Sequence, residues 1–359
     1  MRRFVPEARA AGCAEPAFIW SRHAEHAREL ALELQIPAVA ETPEELLRDV
    51  DAVYVAVPHP HHEEFMEKAL LAGKHVLCEK PMSFSREELE RLYGLAGERH
   101  LVLLEGIKTA YCPGFRKVLQ LVQSGTIGKV IDVEAAFTRI PDSNVREVWD
   151  TEFGGSFTEY GTYALLPALR ILGTGYRSVT FETVRAKTGV DAYTKASLHY
   201  EGTMAAARTG LGVKSEGQLV ISGTRGYILV PSPWWLTRHI EVHYEDPGRT
   251  AVYDLPYEGS GLRYEIAAFC ARIRENEAEP VTPDRNAEPD AGFEAGQGAQ
   301  EAGPREEAGL NADSAIEKGT RLAGPRAAKT DTDAMQDISL ALADIMEQWL
   351  NWRSPGELS

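Results

Sequence analysis

The sequence predicts an α/β chain: a doubly wound parallel sheet with its first strand missing, followed by an α+β domain built on a large, mostly antiparallel sheet. Three observations carry that reading. Short apolar runs at 17–20, 52–57, 75–78 and 101–104 alternate with amphipathic stretches at 24–35, 43–49, 62–73 and 86–98, the rhythm of strand–helix–strand units. Beyond about residue 130 the helices give way to strand-like runs joined by turns such as Glu201-Gly202. Between the two regions, Pro113 and Gly125 bracket an amphipathic helix with Phe115, Val118, Leu119 and Val122 on one side.

In chain order, Phe4, Val5 and Ala8 stand at helical spacing in a first helix over 3–11 that ends at Gly12. The strand at 17–20 leads straight into Ser21-Arg22. The run from His75 to Cys78 follows a helix that stops at Gly73 and precedes one that opens at Ser85, so it reads as a buried parallel strand. Glu79-Lys80-Pro81 therefore stands at the carboxyl end of a strand, the edge where open α/β sheets bind ligands, and Lys80 is a candidate catalytic group. A bare Glu-Lys-Pro tripeptide also suits an ordinary surface turn, so its context decides. Further strands are expected at 130–138, 179–186, 196–200, 203–209, 217–221, 227–230 and 240–244. The stretch 281–330 is rich in Ala, Gly and Glu with Phe293 its only aromatic residue; it cannot bury enough surface to offset its ordering entropy and is expected to be a disordered insertion. A last amphipathic helix over 335–352 packs back on the folded part. The expected division is 1–112, 113–280, 281–330 and 331–359.

With 359 residues there is room for two domains with substantial cores. A formal charge of −16 disfavours a nucleic-acid partner. Cys13, Cys78, Cys112 and Cys270 lack Cys-x-x-Cys spacing, which reads as reduced thiols in a cytoplasmic protein. No 18-residue apolar run or signal-like start appears, so no membrane partner is expected.

The run from Ala52 through Pro58-His-Pro-His-His62, followed one helix later by Ala69 through Glu79-Lys-Pro-Met82, closely resembles the Gfo/Idh/MocA family of NAD(P)-dependent oxidoreductases. The resemblance continues through Glu105, Ser124-Gly-Thr-Ile-Gly128, the run from Gly154 to Tyr163, Gly223-Thr-Arg-Gly-Tyr227 and Gly261-Leu-Arg-Tyr-Glu265. It implies a Rossmann-like first domain and hydride transfer between a nicotinamide cofactor and a secondary alcohol or carbonyl of a sugar or polyol. It further implies that Lys80, Glu159 and Tyr163 line the substrate site, with Glu159 where the family carries an aspartate. Pro58, His59, His62, Glu79, Lys80 and Glu105 would border the cofactor. The family's open sheet face makes oligomer contacts, so at least a homodimer is expected. The Gly-x-Gly-x-x-Gly turn that holds a pyrophosphate is not found, and by family comparison about a dozen residues ahead of the first helix are absent.

Oxidation of an alcohol needs a base, and an ordinary tyrosine with its pKa near 10 is a poor one. An ammonium beside Tyr163 would favour its phenolate, making Tyr163 the acid/base, Lys80 its activator and Glu159 an orienting acceptor; Lys80 as the proton carrier is the alternative. Ser21 and Arg22, where an NAD-selective fold has an acid, suit a 2′-phosphate and favour NADP over NAD. The histidines at 59, 61 and 62 lack a matching ligand set, so no metal is expected. Trp234-Trp235 could stack on a sugar or arene, or simply pack at a strand edge. The competing readings are a cofactor-free binding or regulatory protein of the same fold, and a dehydrogenase of aryl dihydrodiols.

Overall fold

In the computed structural model, residues 1–141, 147–151, 153–278 and 331–353 are described; the expected insertion at 281–330 lies outside them. The parallel layer begins with α1 (Phe4–Ala11), which Gly12 terminates at φ 67°. It continues with β1 (Phe18–Ile19), α2 (Ala24–Leu34), β2 (Ala38–Val39) and α3 (Pro43–Arg48), the last capped by Thr42, whose hydroxyl accepts the Glu45 N–H. Next come β3 (Ala52–Val55), a single 3-10 turn at His59–His61, α4 (His62–Leu71), β4 (His75–Glu79), α5 (Arg86–Glu98) and β5 (Leu103–Gly106).

Strands β3, β4 and β5 pair in parallel, with Val55 opposite Cys78 and Cys78 opposite Glu105. β1 and β2 pair in parallel as a separate two-stranded piece, and no described strand bridges β1 and β3. Both pieces keep the parallel pairing expected of a doubly wound layer. α1 covers β3, the Phe4 ring stacking on Tyr54 at 3.6 Å between centroids.

Two further helices, α6 (Lys108–Tyr111) and α7 (Pro113–Gln123), lead into β6 (Val130–Arg139), α8 (Ser156–Leu172), β7 (Ser178–Arg185), β8 (Asp191–His199) and β9 (Met204–Leu211). Then follow β10 (Leu219–Gly223), β11 (Tyr227–Val230), β12 (His239–His243), β13 (Ala251–Asp254), α9 (Leu262–Ala278) and α10 (Asp331–Arg353). The eight-stranded sheet runs β13-β12-β11-β10-β6-β9-β8-β7, antiparallel except for β6 against β9. Its inner face is apolar: Ile240 and Val242 of β12 point in, whereas His239, Glu241 and His243 are only half-buried on the other side. Ile131, Val184, Met204 and Tyr227 stay exposed.

Besides α9, of which it marks only the Gly261 to Glu265 motif, the sequence reading passed over β2, α6 and β13. β2 is two residues long, α6 is one helical turn, and β13 alternates between half-buried and exposed positions without a buried residue, so none has enough period to register.

Local chemistry at the start of α8 fixes the helix that matters most. Gly155 precedes it at φ 115°, and a Cβ there would stand 2.0 Å from Asp191 Oδ1. Asp191 of β8 reaches over this glycine: its Oδ2 accepts from Phe157 N–H at 2.8 Å, Ser156 Oγ at 2.7 Å and Thr194 Oγ1 at 2.9 Å. The cap is therefore supplied by a neighbouring strand. At the other end of the chain α10 packs on α5 and α8, with Trp349 against Phe157 at 5.1 Å and Phe181 at 5.4 Å.

Candidate active site

The site forms where the carboxyl end of β4 meets α8. β4 is a fully buried parallel strand up to Glu79, so the first side chains free to act are those at its end. Lys80 Nζ donates to the backbone carbonyl of Glu159 at 2.9 Å and lies 3.9 Å from the Glu159 carboxylate, both side chains being largely shielded. Tyr163 follows Glu159 by one turn of α8, and Lys80 Nζ sits over its ring at 5.9 Å from the centroid. The three residues expected to carry chemistry are brought together.

The electrostatics correct one expectation. Lys80 faces the π surface of Tyr163, and burial, followed by the negative Glu79 and Glu265, pushes the phenol pKa well above 10. A phenolate stabilised by Lys80 is not what this geometry makes. Tyr163 holds its proton, the condition of a donor.

The turn carrying Lys80 is braced on three sides. Glu105 Oε1 accepts Met82 N–H at 3.1 Å, Glu63 Oε1 accepts Ser83 Oγ–H at 2.6 Å, and His62 Nδ1 lies 2.9 Å from the Pro81 carbonyl. Two expected cofactor contacts are therefore corrected. His62 is wholly buried with both ring nitrogens on backbone carbonyls, and Glu105 is 2% exposed, so neither is open to a cofactor. Burial pushes the Glu105 carboxyl up to about 7, against the Ser339 hydroxyl and Met82 N–H.

The remaining expected cofactor residues line the same strand-end edge. Ser21 Oγ accepts His23 N–H at 3.2 Å just past β1, and exposed Arg22 touches His61 Nε2 at 3.2 Å. Pro58 is exposed; His59 is half-buried, and burial, then Lys80 and His62, draw its pKa down to about 3, so it is a neutral ring. Glu79 accepts the Tyr54 hydroxyl and the Lys80 N–H.

Of the tryptophan pair, Trp234 belongs to the core and donates Nε1–H to the Ala136 carbonyl at 2.9 Å. Trp235 remains half-buried and stacks on Phe137 at 3.9 Å, which in turn stacks on Tyr163 at 5.3 Å and Tyr160 at 4.7 Å. This aromatic wall escaped notice because its members come from β6, α8 and the turn after β11. Among the described residues no group of three or more His, Cys, Asp or Glu could hold a metal.

Tyr54, Lys108 and Glu265 were also missed. Lys108 is buried, donating Nζ–H to the Ser260 carbonyl at 2.7 Å, and burial lowers its pKa. Glu265, 1% exposed with no hydrogen bond to either oxygen, is pushed well above the carboxylate range by burial and then by Glu79. Tyr54 is the one hydroxyl in an apolar strand, and Glu265 closes the Gly261-Leu-Arg-Tyr motif; those were the available signals.

Residues 2–107 match the model of an oxidoreductase family with an NAD-binding Rossmann fold, Gfo/Idh/MocA, and residues 115–229 match the C-terminal domain of that family. The chain is 37% identical over 222 residues to a dTDP-3,4-didehydro-2,6-dideoxy-α-D-glucose 3-reductase of Streptomyces violaceoruber, covering 60% of this chain and 64% of that enzyme, just under two thirds. It is 29% identical over 273 residues to the human trans-1,2-dihydrobenzene-1,2-diol dehydrogenase, covering 73% of this chain and 81% of that one. A crystal structure of a 3-ketoreductase from Actinomadura kijaniata with NADP and TDP-benzene superposes with a TM-score of 0.68 at 27% identity, covering 77% of this chain and 86% of that one.

Proposed function

We propose a reaction from one premise: this chain belongs to the Gfo/Idh/MocA family of oxidoreductases. It transfers a hydride between NADP and the ketone or secondary hydroxyl of a sugar, the preferred direction being reduction of a keto group on a nucleotide-linked hexose. The observation that carries this reading is the convergence of Lys80, Glu159 and Tyr163 at the end of β4.

NADP, when bound, supplies or accepts the hydride. The half-exposed edge formed by Ser21, Arg22, Pro58 and His59 fits a nicotinamide nucleotide: Arg22 is exposed on the strand-end side, where a 2′-phosphate would find a charged donor. His59, neutral beside Lys80, can border the cofactor without adding charge. Tyr163 gives its phenolic proton to the carbonyl oxygen as that oxygen gains charge. Lys80, held by the Glu159 carbonyl and carboxylate, aims an ammonium at the same oxygen and steadies the negative charge there. Glu159 fixes Lys80. A phenol that keeps its proton is the form needed to protonate the carbonyl oxygen in the reductive direction.

Names of relatives support the sugar: the Streptomyces enzyme is a 3-reductase of a dTDP-keto sugar, and the Actinomadura structure holds TDP-benzene. Solved forms of the latter include variants with a lysine or a tyrosine replaced. One observation favours a second reading, oxidation of an aryl trans-dihydrodiol: the wall of Trp235, Phe137 and Tyr163 would accept a flat ring, and the human relative is a dihydrodiol dehydrogenase.

The same reading makes the open face of the eight-stranded sheet, with exposed Met204 and Tyr227, a contact between copies, and assigns the protein to the cytoplasm on its four free cysteines. No helix among the described residues is long and apolar enough to cross a membrane.

The test is a panel of nucleotide-linked keto sugars, free keto sugars and trans-dihydrodiols, each followed by NADPH absorbance in the wild type and in Lys80→Met. Turnover of a keto sugar that Lys80→Met abolishes supports the reading. Absence of turnover across the panel, together with no NADPH binding by calorimetry, sinks it.

A further inference from the structure

His62 opens α4 with its ring entirely enclosed. Its Nδ1 lies 2.9 Å from the Pro81 carbonyl and its Nε2 lies 2.9 Å from the Val57 carbonyl. Val57 ends the run that leads from β3 into the Pro58-His59 loop, on the cofactor edge; Pro81 follows Lys80 directly. A ring clasped between two carbonyls is a poor choice for filling space, because neutral imidazole has one N–H to offer and its other nitrogen presents a lone pair. Neighbouring side chains serve the same turn, Glu63 through Ser83 and Glu105 through Met82.

We infer that His62 is a positioning residue: one ring ties the cofactor loop, at Val57, to the catalytic turn, at Pro81, and so sets Lys80 relative to the nucleotide. The inference rests on the reaction proposed above for its kinetic consequences, but its geometry stands alone.

Both ties together require the doubly protonated ring. The groups that face His62 are His59, whose ring meets it edge-on at 5.5 Å, and the charges of Glu79 and Lys80. Burial draws its pKa below 6.5, while the two carbonyls and Glu79 hold it up and Lys80 works with burial. The second tie is thus made as the pH falls, and one remains when the ring is neutral.

Assayed on the acid side, where the ring is doubly protonated and both ties are made, the two can be cut separately, since the amide nitrogen of asparagine falls near Nδ1 and that of glutamine near Nε2. His62→Asn keeps the Pro81 tie and is expected to leave kcat within about threefold while raising KM for NADPH roughly 3- to 10-fold, the worth of about one hydrogen bond. His62→Gln keeps the Val57 tie; it should leave the nucleotide KM near wild type and lower kcat by about 10- to 100-fold as Lys80 drifts from its register. A purely structural histidine would weaken both variants alike and leave no such split, and equal kinetic changes in the two overturn the inference. Should either variant fail to fold, the wild-type ring decides: with nitrogen-15-labelled histidine, His62 should show one ring N–H protected from solvent exchange at neutral pH and a second on acidification before unfolding. A ring with no protected N–H at any pH at which the protein is folded overturns it as well. Protected ring protons in a protein that binds no NADPH would instead count against the proposed reaction and leave the clasp intact.

Discussion

Asp191 is the residue whose removal most directly tests how the catalytic helix is held. Its Oδ2 takes three hydrogen bonds at the buried start of α8, from Phe157 N–H, Ser156 Oγ and Thr194 Oγ1, and Asp191 itself is 3% exposed. Asp191→Ala leaves those three donors without their acceptor. Ser156 retains Thr209 Oγ1 at 2.9 Å and Thr194 retains Thr183 Oγ1 at 3.0 Å, so the Phe157 N–H loses most. At about 1–3 kcal/mol for the unsatisfied Phe157 N–H and about 0.5–1.5 kcal/mol for each of the two hydroxyl bonds, the loss comes to roughly 2–6 kcal/mol, a large part of the roughly 5–15 kcal/mol that holds a typical protein folded. Asp191→Asn behaves differently. Its amide oxygen can replace Oδ2, its nitrogen occupies the place of Oδ1, which has no hydrogen bond, and the neutral group escapes the burial that raises the carboxyl pKa. The expected cost is then about 1–3 kcal/mol, that of an amide N–H without an acceptor where Oδ1 lies, and below that of alanine. Urea unfolding at neutral pH with a two-state fit measures both, and turnover reports the helix end that bears Glu159 and Tyr163. If alanine and asparagine cost the same, the three-bond account is wrong.

Tyr163→Phe should lower turnover by about 10²–10⁴ with NADPH binding unchanged; a loss under about tenfold in stopped-flow single turnovers would assign the proton to Lys80 or water. Arg22→Ala should weaken NADP by roughly 10- to 150-fold, the value of a charge-assisted bond of about 1.5–3 kcal/mol, and leave NAD nearly untouched; calorimetric titration with each nucleotide compares them. For Glu105, whose folded pKa is raised from 4.5 to about 7, the folded state holds the proton more tightly, so its contribution is present at low pH and lost as the pH rises from about 4.5 to 7. Glu105→Gln keeps the Met82 tie and should flatten that part of the stability curve, by roughly 3 kcal/mol at most, in urea melts at pH 5 and 8.

Much of the fold could be read from the chain because its signals are local. The strand 75–79 has a continuously apolar centre, 76–78, as a strand covered on both faces must, and it ends on the residues that reach α8. Glu159 and Tyr163 share a face because they are one turn apart. The parts that stayed hidden depend on partners far along the chain. The charge state of Tyr163 is set by its burial and then by Glu79 and Glu265, on β4 and α9, and the cap of α8 comes from β8. His62 resembled a cofactor ligand because its type and loop were apt; only its burial showed that backbone carbonyls use both nitrogens.

The packing of α10 has a consequence for how the protein comes into being. Trp349 fills the space between Phe157 and Phe181, and a Cβ on Gly161 would stand 2.8 Å from Met346 Cε. The helix that carries Tyr163 is therefore walled by residues that are synthesised long after it. Until those residues emerge, Phe157 and its neighbours face water, and the nascent chain carries an unfinished apolar surface. Contacts of such long sequence separation also close slowly, so α8 depends on meeting α10 before that surface meets another chain.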